Sequence, residues 1–193
     1  ICDQVMAKRL RKSFYALTKT ERMKLVKMME EAIRLGLGSG EARSIKKYAS
    51  SSDTYVRRNA YVIIGRFHRV RKDLGEKILD VLKDLFHDED ARVRQTVVYA
   101  FGEIGKIDAD RAIGTLRLAL MDKHSSVRNA VVGALKQMGQ VNPNPTLRFA
   151  KEFLHHPDPE IRRRVIHGIE LRGRTHPEDV LPLLVELQND RDK

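Results

Sequence analysis

Four segments of the chain repeat one spacing of hydrophobic and polar residues. Apolar or small residues recur four, seven, eight and eleven positions after Val56, Val93, Val127 and Ile161, and the only exception is Arg172. This spacing places them on one face of an α-helix. Acidic or hydroxyl residues precede each segment and can accept hydrogen bonds from the free N–H groups of a helix start. The pattern therefore predicts four amphipathic helices.

Each of these helices is the second member of a predicted helix pair. The copies are 37 residues apart from Val56 to Val93 and then 34 residues apart twice. Amphipathic segments precede the second and third copies, at 74–85 and 112–120, and another follows the last copy, at 180–187. Glycine occurs twelve positions into three copies and predicts a left-handed helix end at Gly105, Gly139 and Gly173. Because one pair cannot bury its apolar face alone, the pairs are expected to stack.

The first 40 residues carry a different pattern. Residues 3–17 and 19–35 each show helical periodicity, and Thr18 with Glu21 three positions later predicts a capping box at the start of the second helix. Residues 36–40, Gly-Leu-Gly-Ser-Gly, predict a loop or hinge. A further helix is expected from Glu41.

The repeated motif resembles the HEAT repeat in its short bacterial and archaeal form. An aspartate followed by Val-Arg at the head of the second helix carries the likeness, as in Asp53 to Arg57 and Asp90 to Arg94. The resemblance covers about residues 41–193, as four repeats and the start of another at Asp190. It implies an all-α fold, a right-handed α-α superhelix of stacked antiparallel pairs, with 1–193 as a single solenoid and 1–40 as its N-terminal helices. We expect the chain to be truncated from a longer solenoid.

The positive charge is concentrated in the first third of the chain. Residues 1–72 hold 18 Lys and Arg against 6 Asp and Glu, whereas residues 73–193 hold 19 against 20. Such a field attracts nucleic acid or an acidic protein, and both partners remain open. The predicted polyanion-binding residues are cations of this third and of the second helices: Lys46, Lys47, Arg58, Arg66, Arg69, Lys106, Lys136, Arg163 and Arg174.

A second set of charged residues is predicted to be structural. An arginine follows the first Val or Ile of every copy, and the resemblance implies that it pairs with a loop aspartate of its own repeat or the next one. Charge-assisted hydrogen bonds of this kind would connect the layers. The predicted ladder contains four arginines and three aspartates: Arg57, Arg94, Arg128, Arg162, Asp53, Asp90 and Asp158.

Several kinds of chemistry find no support in the sequence. A lone Cys2 makes neither an internal disulfide nor a cysteine-based zinc site, and no phosphate-binding Gly-rich loop ends in Lys. We therefore expect no catalytic, metal or cofactor site. With no long apolar run and no secretion signal, we expect no membrane association and a cytoplasmic location.

A weaker resemblance points to one enzyme family. Glu41-Ala42-Arg43 and Tyr55-Val56-Arg57-Arg58 are similar to segments of the DNA-alkylation repair glycosylases, which are also solenoids. That family uses tryptophans and an aspartate around the damaged base, and this chain has no tryptophan. The leading interpretation is a non-catalytic scaffold that binds nucleic acid or another polyanion. The alternatives are a scaffold for an acidic protein and a base glycosylase.

Overall fold

The computed structural model describes residues 13–190, and this part of the chain folds into ten α-helices without a β-strand. Two 3-10 turns, Phe14–Ala16 and Lys72–Leu74, accompany them. The helices are α1 Lys19–Ser39, α2 Ala42–Ala49, α3 Thr54–Val70, α4 Gly75–Phe86, α5 Ala91–Gly105, α6 Ala109–Leu120, α7 Ser125–Val141, α8 Pro143–Phe153, α9 Pro159–Thr175 and α10 Pro177–Glu186. The predicted all-α fold is confirmed. Most of the helix predicted for residues 3–17 lies outside the described residues.

The helices stack in consecutive pairs, as the repeat pattern predicts. The second helices pack in succession, α3 on α5, α5 on α7 and α7 on α9, and these are the most extensive helix contacts within residues 13–190. The first helices α2, α4, α6 and α8 pack beside their partners. No helix of residues 13–190 combines the length and the apolar character that crossing a membrane requires.

The repeated apolar positions form one continuous core. Val93, Phe101, Val127 and Leu135 have no measurable exposure. Second helices approach closely because small residues face their neighbours: a Cβ on Gly102 would lie 2.8 Å from that of Ala134. Burying these side chains supplies the main driving force for stacking.

The predicted left-handed conformation is wrong at all three glycines. Gly105 is the last residue of α5, Gly139 and Gly173 lie within α7 and α9, and Gly40 is the only residue of 13–190 with a positive φ, at 77°. At Gly105 the requirement is space, since a Cβ there would lie 2.6 Å from Met138 Cε. The glycine therefore admits a neighbouring helix, and α5 ends there without a left-handed residue.

The N-terminal helix is longer than predicted. The capping box is confirmed, because Thr18 Oγ1 accepts from Glu21 N–H at 3.2 Å and Glu21 Oε2 accepts from Thr18 N–H at 2.8 Å. The loop predicted for residues 36–40 is wrong, since α1 continues to Ser39 and Gly40 is its left-handed cap. Leu37 is fully buried and lies one helical turn after the equally buried Ile33. Its burial outweighs the low helix propensity of the glycines.

Candidate binding groove and its cations

A partly continuous arginine ladder connects the layers of the solenoid. Arg94 donates from Nε and Nη2 to both carboxylate oxygens of Asp122, at 2.8 and 2.9 Å. Its Nη1 also donates to the carbonyl oxygens of Asp88 and Glu89, at 2.7 and 2.9 Å. Both side chains of the Arg94–Asp122 pair are buried. The pair thus joins α5 to the loop before α7.

The same contact recurs two repeats later, at Arg162. Arg162 donates to both oxygens of Asp190, at 2.7 and 2.9 Å, and to the carbonyl oxygen of His156 at 2.8 Å. Asp122 and Asp190 each lie 28 residues after their arginine. The carboxylate therefore comes from the loop at the start of the following copy.

The three predicted ladder aspartates have another role. Asp53, Asp90 and Asp158 are N-cap residues, and their carboxylates accept from backbone N–H groups in the first turns of α3, α5 and α9. The prediction that they bind the ladder arginines is wrong. An aspartate immediately before a helix accepts from the free N–H groups beside it, and Arg94 and Arg162 bind the loop aspartates Asp122 and Asp190 in its place.

Two ladder arginines, Arg57 and Arg128, have no carboxylate partner among residues 13–190. Arg57 Nη1 donates to the carbonyl oxygens of Ser51 and Ser52, at 2.6 and 3.2 Å, but no carboxylate of residues 13–190 forms an ion pair with it. Asp88 occupies the position that corresponds to Asp122, yet it binds Lys46 Nζ at 2.6 Å.

Arg128 is the second ladder arginine without a carboxylate partner among residues 13–190. It donates to the carbonyl oxygen of Asp122 at 2.7 Å, and a histidine, His156, stands where the next carboxylate would be.

Most of the nine predicted polyanion-binding residues are neutralised within the chain. Six of them form ion pairs with a carboxylate of residues 13–190: Lys46 with Asp88, Arg66 with Glu30, Lys106 with Glu103, Lys136 and Arg174 with Glu170, and Arg163 with Glu160. In the described part of the chain, Lys47, Arg58 and Arg69 form no ion pair and are exposed. Lys46 and Lys47 lie on α2, a first helix, and are thus apart from the cations of the second helices.

A groove of about 430 Å³ crosses α3, α5 and α7, and we name it the tyrosine groove. It is lined by Thr54, Tyr55, Arg57, Arg58, Tyr61, Gln95, Thr96, Tyr99, Gly133, Lys136 and Gln137. The rings of Tyr61 and Tyr99 stack with centroids 5.0 Å apart. Burial raises the pKa of both phenols, so their hydroxyl groups stay protonated at neutral pH.

The absence of a side chain at Gly133 makes room for one of these rings. A Cβ at that position would lie 2.6 Å from Tyr99 Cε1. Among the nine predicted cations, Arg58 and Lys136 line the groove.

Several lining residues of the tyrosine groove do not follow from the sequence pattern. Tyr55, Tyr61 and Gln137 were not predicted, and Arg57 was assigned to the ladder. One signal was available: Tyr61 stands five positions after Val56, where the later copies carry Val98, Val132 and Ile166. An aromatic residue in place of a small aliphatic one marks the first repeat as different.

A larger cavity of about 770 Å³ lies at the C-terminal end of the described chain, between α9 and α10. Its cations are already paired, since Arg163 and Arg164 bind Glu160 and Arg162 binds Asp190. Arg172, the polar residue in the core pattern, donates to Asp179 Oδ2 at 2.7 Å. This end is therefore less suited to an anionic partner than the tyrosine groove, where two arginines lack carboxylates.

Histidine and acidic residues are close together at one further point. His167 Nδ1 lies 2.6 Å from Glu170 Oε2, and Lys136 Nζ lies 3.2 Å from His167 Nε2. Within residues 13–190 no three His, Cys, Asp or Glu side chains are arranged to hold a metal ion.

Comparison with known proteins identifies the repeat. Residues 42–136 match the family model for HEAT repeats. Among solved structures, the designed armadillo repeat protein YIII(Dq)4CqI is 16% identical, with a TM-score of 0.42 over 97% of this chain and 92% of that one. A second designed armadillo repeat protein, in complex with the peptide (KR)4, is 15% identical, with a TM-score of 0.39 over 96% and 92%. An engineered protein is 14% identical, with a TM-score of 0.40 over 95% and 89%. No curated protein matches the chain.

Proposed function

The chain is a HEAT-repeat solenoid, and we propose that it is a non-catalytic scaffold that binds an acidic segment of a partner protein. The fold alone does not select a partner, because repeat solenoids serve many functions. The observation that carries the proposal is the position of the arginines without carboxylate partners. Arg57 and Arg58 line the tyrosine groove, and Arg69 is exposed at the end of the same helix.

The distribution of carboxylates favours a protein over a nucleic acid. Glu103 and Glu170 lie on the second helices and bind Lys106 and Lys136. A phosphate backbone that followed these helices would meet both carboxylates and would have to break their ion pairs. A protein segment can place its few acidic groups at the unpaired arginines alone. Electrostatic complementarity of this local kind sets specificity and the association rate.

Nucleic acid is the second candidate, and the excess of positive charge in residues 1–72 favours it. The two classes differ in their response to salt. Binding that neutralises many phosphates weakens by about 10³ or more between about 50 and 200 mM salt, whereas binding of a few carboxylates weakens much less. A salt series therefore separates the candidates.

The test is fluorescence anisotropy with two probes, a fluorescein-labelled glutamate-rich peptide and a labelled duplex of about 25 base pairs. We expect the peptide to bind and the double variant Arg58→Glu/Arg69→Glu to weaken it by about tenfold or more, since two attractive charges become repulsive. The control is Arg148→Glu, an exposed arginine on α8 that forms no ion pair within residues 13–190.

Three results would count against the proposal: no binding of the peptide, equal loss in the control, or tight duplex binding with a steep salt dependence. The last result would identify nucleic acid as the partner. A duplex that carries a methylated base then tests the glycosylase alternative through release of the free base.

A further inference from the structure

The ladder shows that a carboxylate is the group that binds the arginine following the first Val or Ile of a copy. Arg94 and Arg162 each receive a bidentate carboxylate, with all four donor–acceptor distances between 2.7 and 2.9 Å. Arg57 occupies the same position in the first copy, and its Nη1 makes the same kind of carbonyl contacts. What differs is the carboxylate, because Asp88 is bound to Lys46.

The free side of the Arg57 guanidinium faces the tyrosine groove. Within the described part of the chain, its Nη2 has only neutral acceptors, Thr54 Oγ1 at 3.3 Å and Gln95 Oε1 at 3.5 Å, which are long contacts for a charged donor. Burial, and then the nearby positive charge of Arg92, lower the pKa of this guanidinium, and the negative charges of Asp53 and Asp90 oppose this shift without reversing it. A partly buried guanidinium without a hydrogen-bonded carboxylate is unfavourable, and a carboxylate that enters the groove would reduce that penalty.

We propose that Arg57 and Arg58 form a carboxylate-binding position in the tyrosine groove, which receives an Asp or Glu side chain from an extended segment of a partner protein. The inference rests on the proposed function and names its central contact. The incoming carboxylate takes the place that Asp122 has at Arg94. In this proposal Arg57 is not a ladder residue but the residue that recognises the ligand.

The rest of the groove suits a polypeptide. The stacked rings of Tyr61 and Tyr99 provide apolar area together with two hydroxyl groups, and Gln137 adds an amide that can donate and accept. A volume of about 430 Å³ accommodates a few residues of extended chain. It is too small to receive a nucleic acid duplex, which would contact only the rim.

The experiment follows the Arg57 side chain directly. In the chain labelled with ¹⁵N, the Nε–Hε resonance of Arg57 is recorded during titration with a peptide of alternating Glu and Ser, and with a matched peptide of alternating Gln and Ser. We expect the Glu peptide to shift this resonance and the Gln peptide to leave it in place. Affinities of the same peptides for variants are measured by anisotropy.

The variants separate recognition from structural support. Arg57→Gln removes the guanidinium, and Arg57→Lys keeps a charge but cannot form the bidentate contact. Arg128→Gln is the matched control, because Arg128 has the same repeat position and also lacks a carboxylate, but does not line the groove. We expect about tenfold weaker binding of the Glu peptide by both Arg57 variants and less than about twofold change in the control.

Loss of folding is checked separately, since Arg57 also supports the Ser51 and Ser52 carbonyl groups. Arg58→Glu tests the same position without touching those contacts, and we expect it to abolish the shift of the Arg57 resonance.

The outcomes are distinct. If the Glu peptide binds but neither moves the Arg57 resonance nor responds to the Arg57 variants, the carboxylate position is wrong and the proposed function survives. If no acidic peptide binds, the proposed function fails with it. If a duplex shifts the resonance and the peptide does not, the occupant is a nucleic acid and the inference is overturned.

Discussion

Removing the carboxylate of Asp122 should destabilise the protein far more than removing that of Glu152. The two residues form ion pairs of nearly equal geometry: Arg94 binds Asp122 at 2.8 and 2.9 Å, and Arg117 binds Glu152 at 2.7 Å twice. The pairs differ in burial, since the side chains of the first are 6% and 9% exposed and those of the second 47% and 43%. Asp122 Oδ1 also accepts from the His124 N–H group at 2.8 Å, so the comparison tests burial together with that hydrogen bond.

The expected magnitudes follow from that difference. Asp122→Ala leaves the Arg94 guanidinium buried without a counter-ion, which costs about 3–5 kcal/mol in free energy of unfolding. Glu152→Ala leaves an arginine that water can solvate, at a cost of about 0–1 kcal/mol. In a chain of this size each kcal/mol lowers Tm by about 2–4 °C, so Asp122→Ala should lower it by at least about 6 °C.

The assay is urea and thermal unfolding followed by circular dichroism at 222 nm for both variants. A double variant, Arg94→Met/Asp122→Leu, removes the unpaired charge and should recover that part of the loss, while the Asp88 and Glu89 carbonyl groups lose their donor. The expected effect of burial would be refuted if Asp122→Ala and Glu152→Ala were equally stable.

The same pair predicts a dependence on pH. Burial by itself raises the pKa of Asp122, but hydrogen bonds from Arg94 and from the His124 N–H group outweigh it and lower the pKa below its ordinary value. Since the folded pKa lies below the unfolded one, the contribution of Asp122 is complete above about pH 4 and is lost as pH falls through the folded pKa. In Asp122→Ala the acid-induced loss of stability should be correspondingly smaller.

Three further predictions concern other parts of the solenoid. Leu37→Ala should cost about 2–5 kcal/mol in urea unfolding because Leu37 is fully buried in α1, whereas a loop residue would cost almost nothing. Thr18→Ala should cost about 1 kcal/mol in the same assay because it removes the capping box, and Thr18→Ser should restore most of it. Burial lowers the pKa of His68, so the unfolded chain binds the proton first. The urea midpoint should fall as pH decreases from about 7 to about 5, and His68→Gln should reduce this slope.

Local residue patterns were sufficient for the fold class. The apolar spacing after Val56, Val93, Val127 and Ile161 predicts second helices, and the structure has one at each position. The capping box at Thr18 was equally readable, because a cap depends on residues three positions apart. Features of this kind need no distant contact, so sequence alone determines them.

The wrong predictions concern glycines whose conformation depends on residues distant in the sequence. Glycines at 36 and 38 suggested a loop, but burial of Leu37 extends α1 to Ser39. Gly105 suggested a left-handed helix end, but its φ is not positive and its role is to admit the side chain of Met138. Local propensity is worth about 1 kcal/mol per glycine, and packing of a buried leucine exceeds it.

The repeat by itself determined that every second helix carries an arginine and that pairs of helices stack. Only the tertiary structure decided which arginines obtain a carboxylate, since Arg94 has Asp122 whereas Arg57 loses Asp88 to Lys46. It also brought Tyr61 and Tyr99, 38 positions apart, into one groove with Arg57. The physical reason is that an ion pair or a stacked ring pair depends on distances between layers, which a sequence period does not contain.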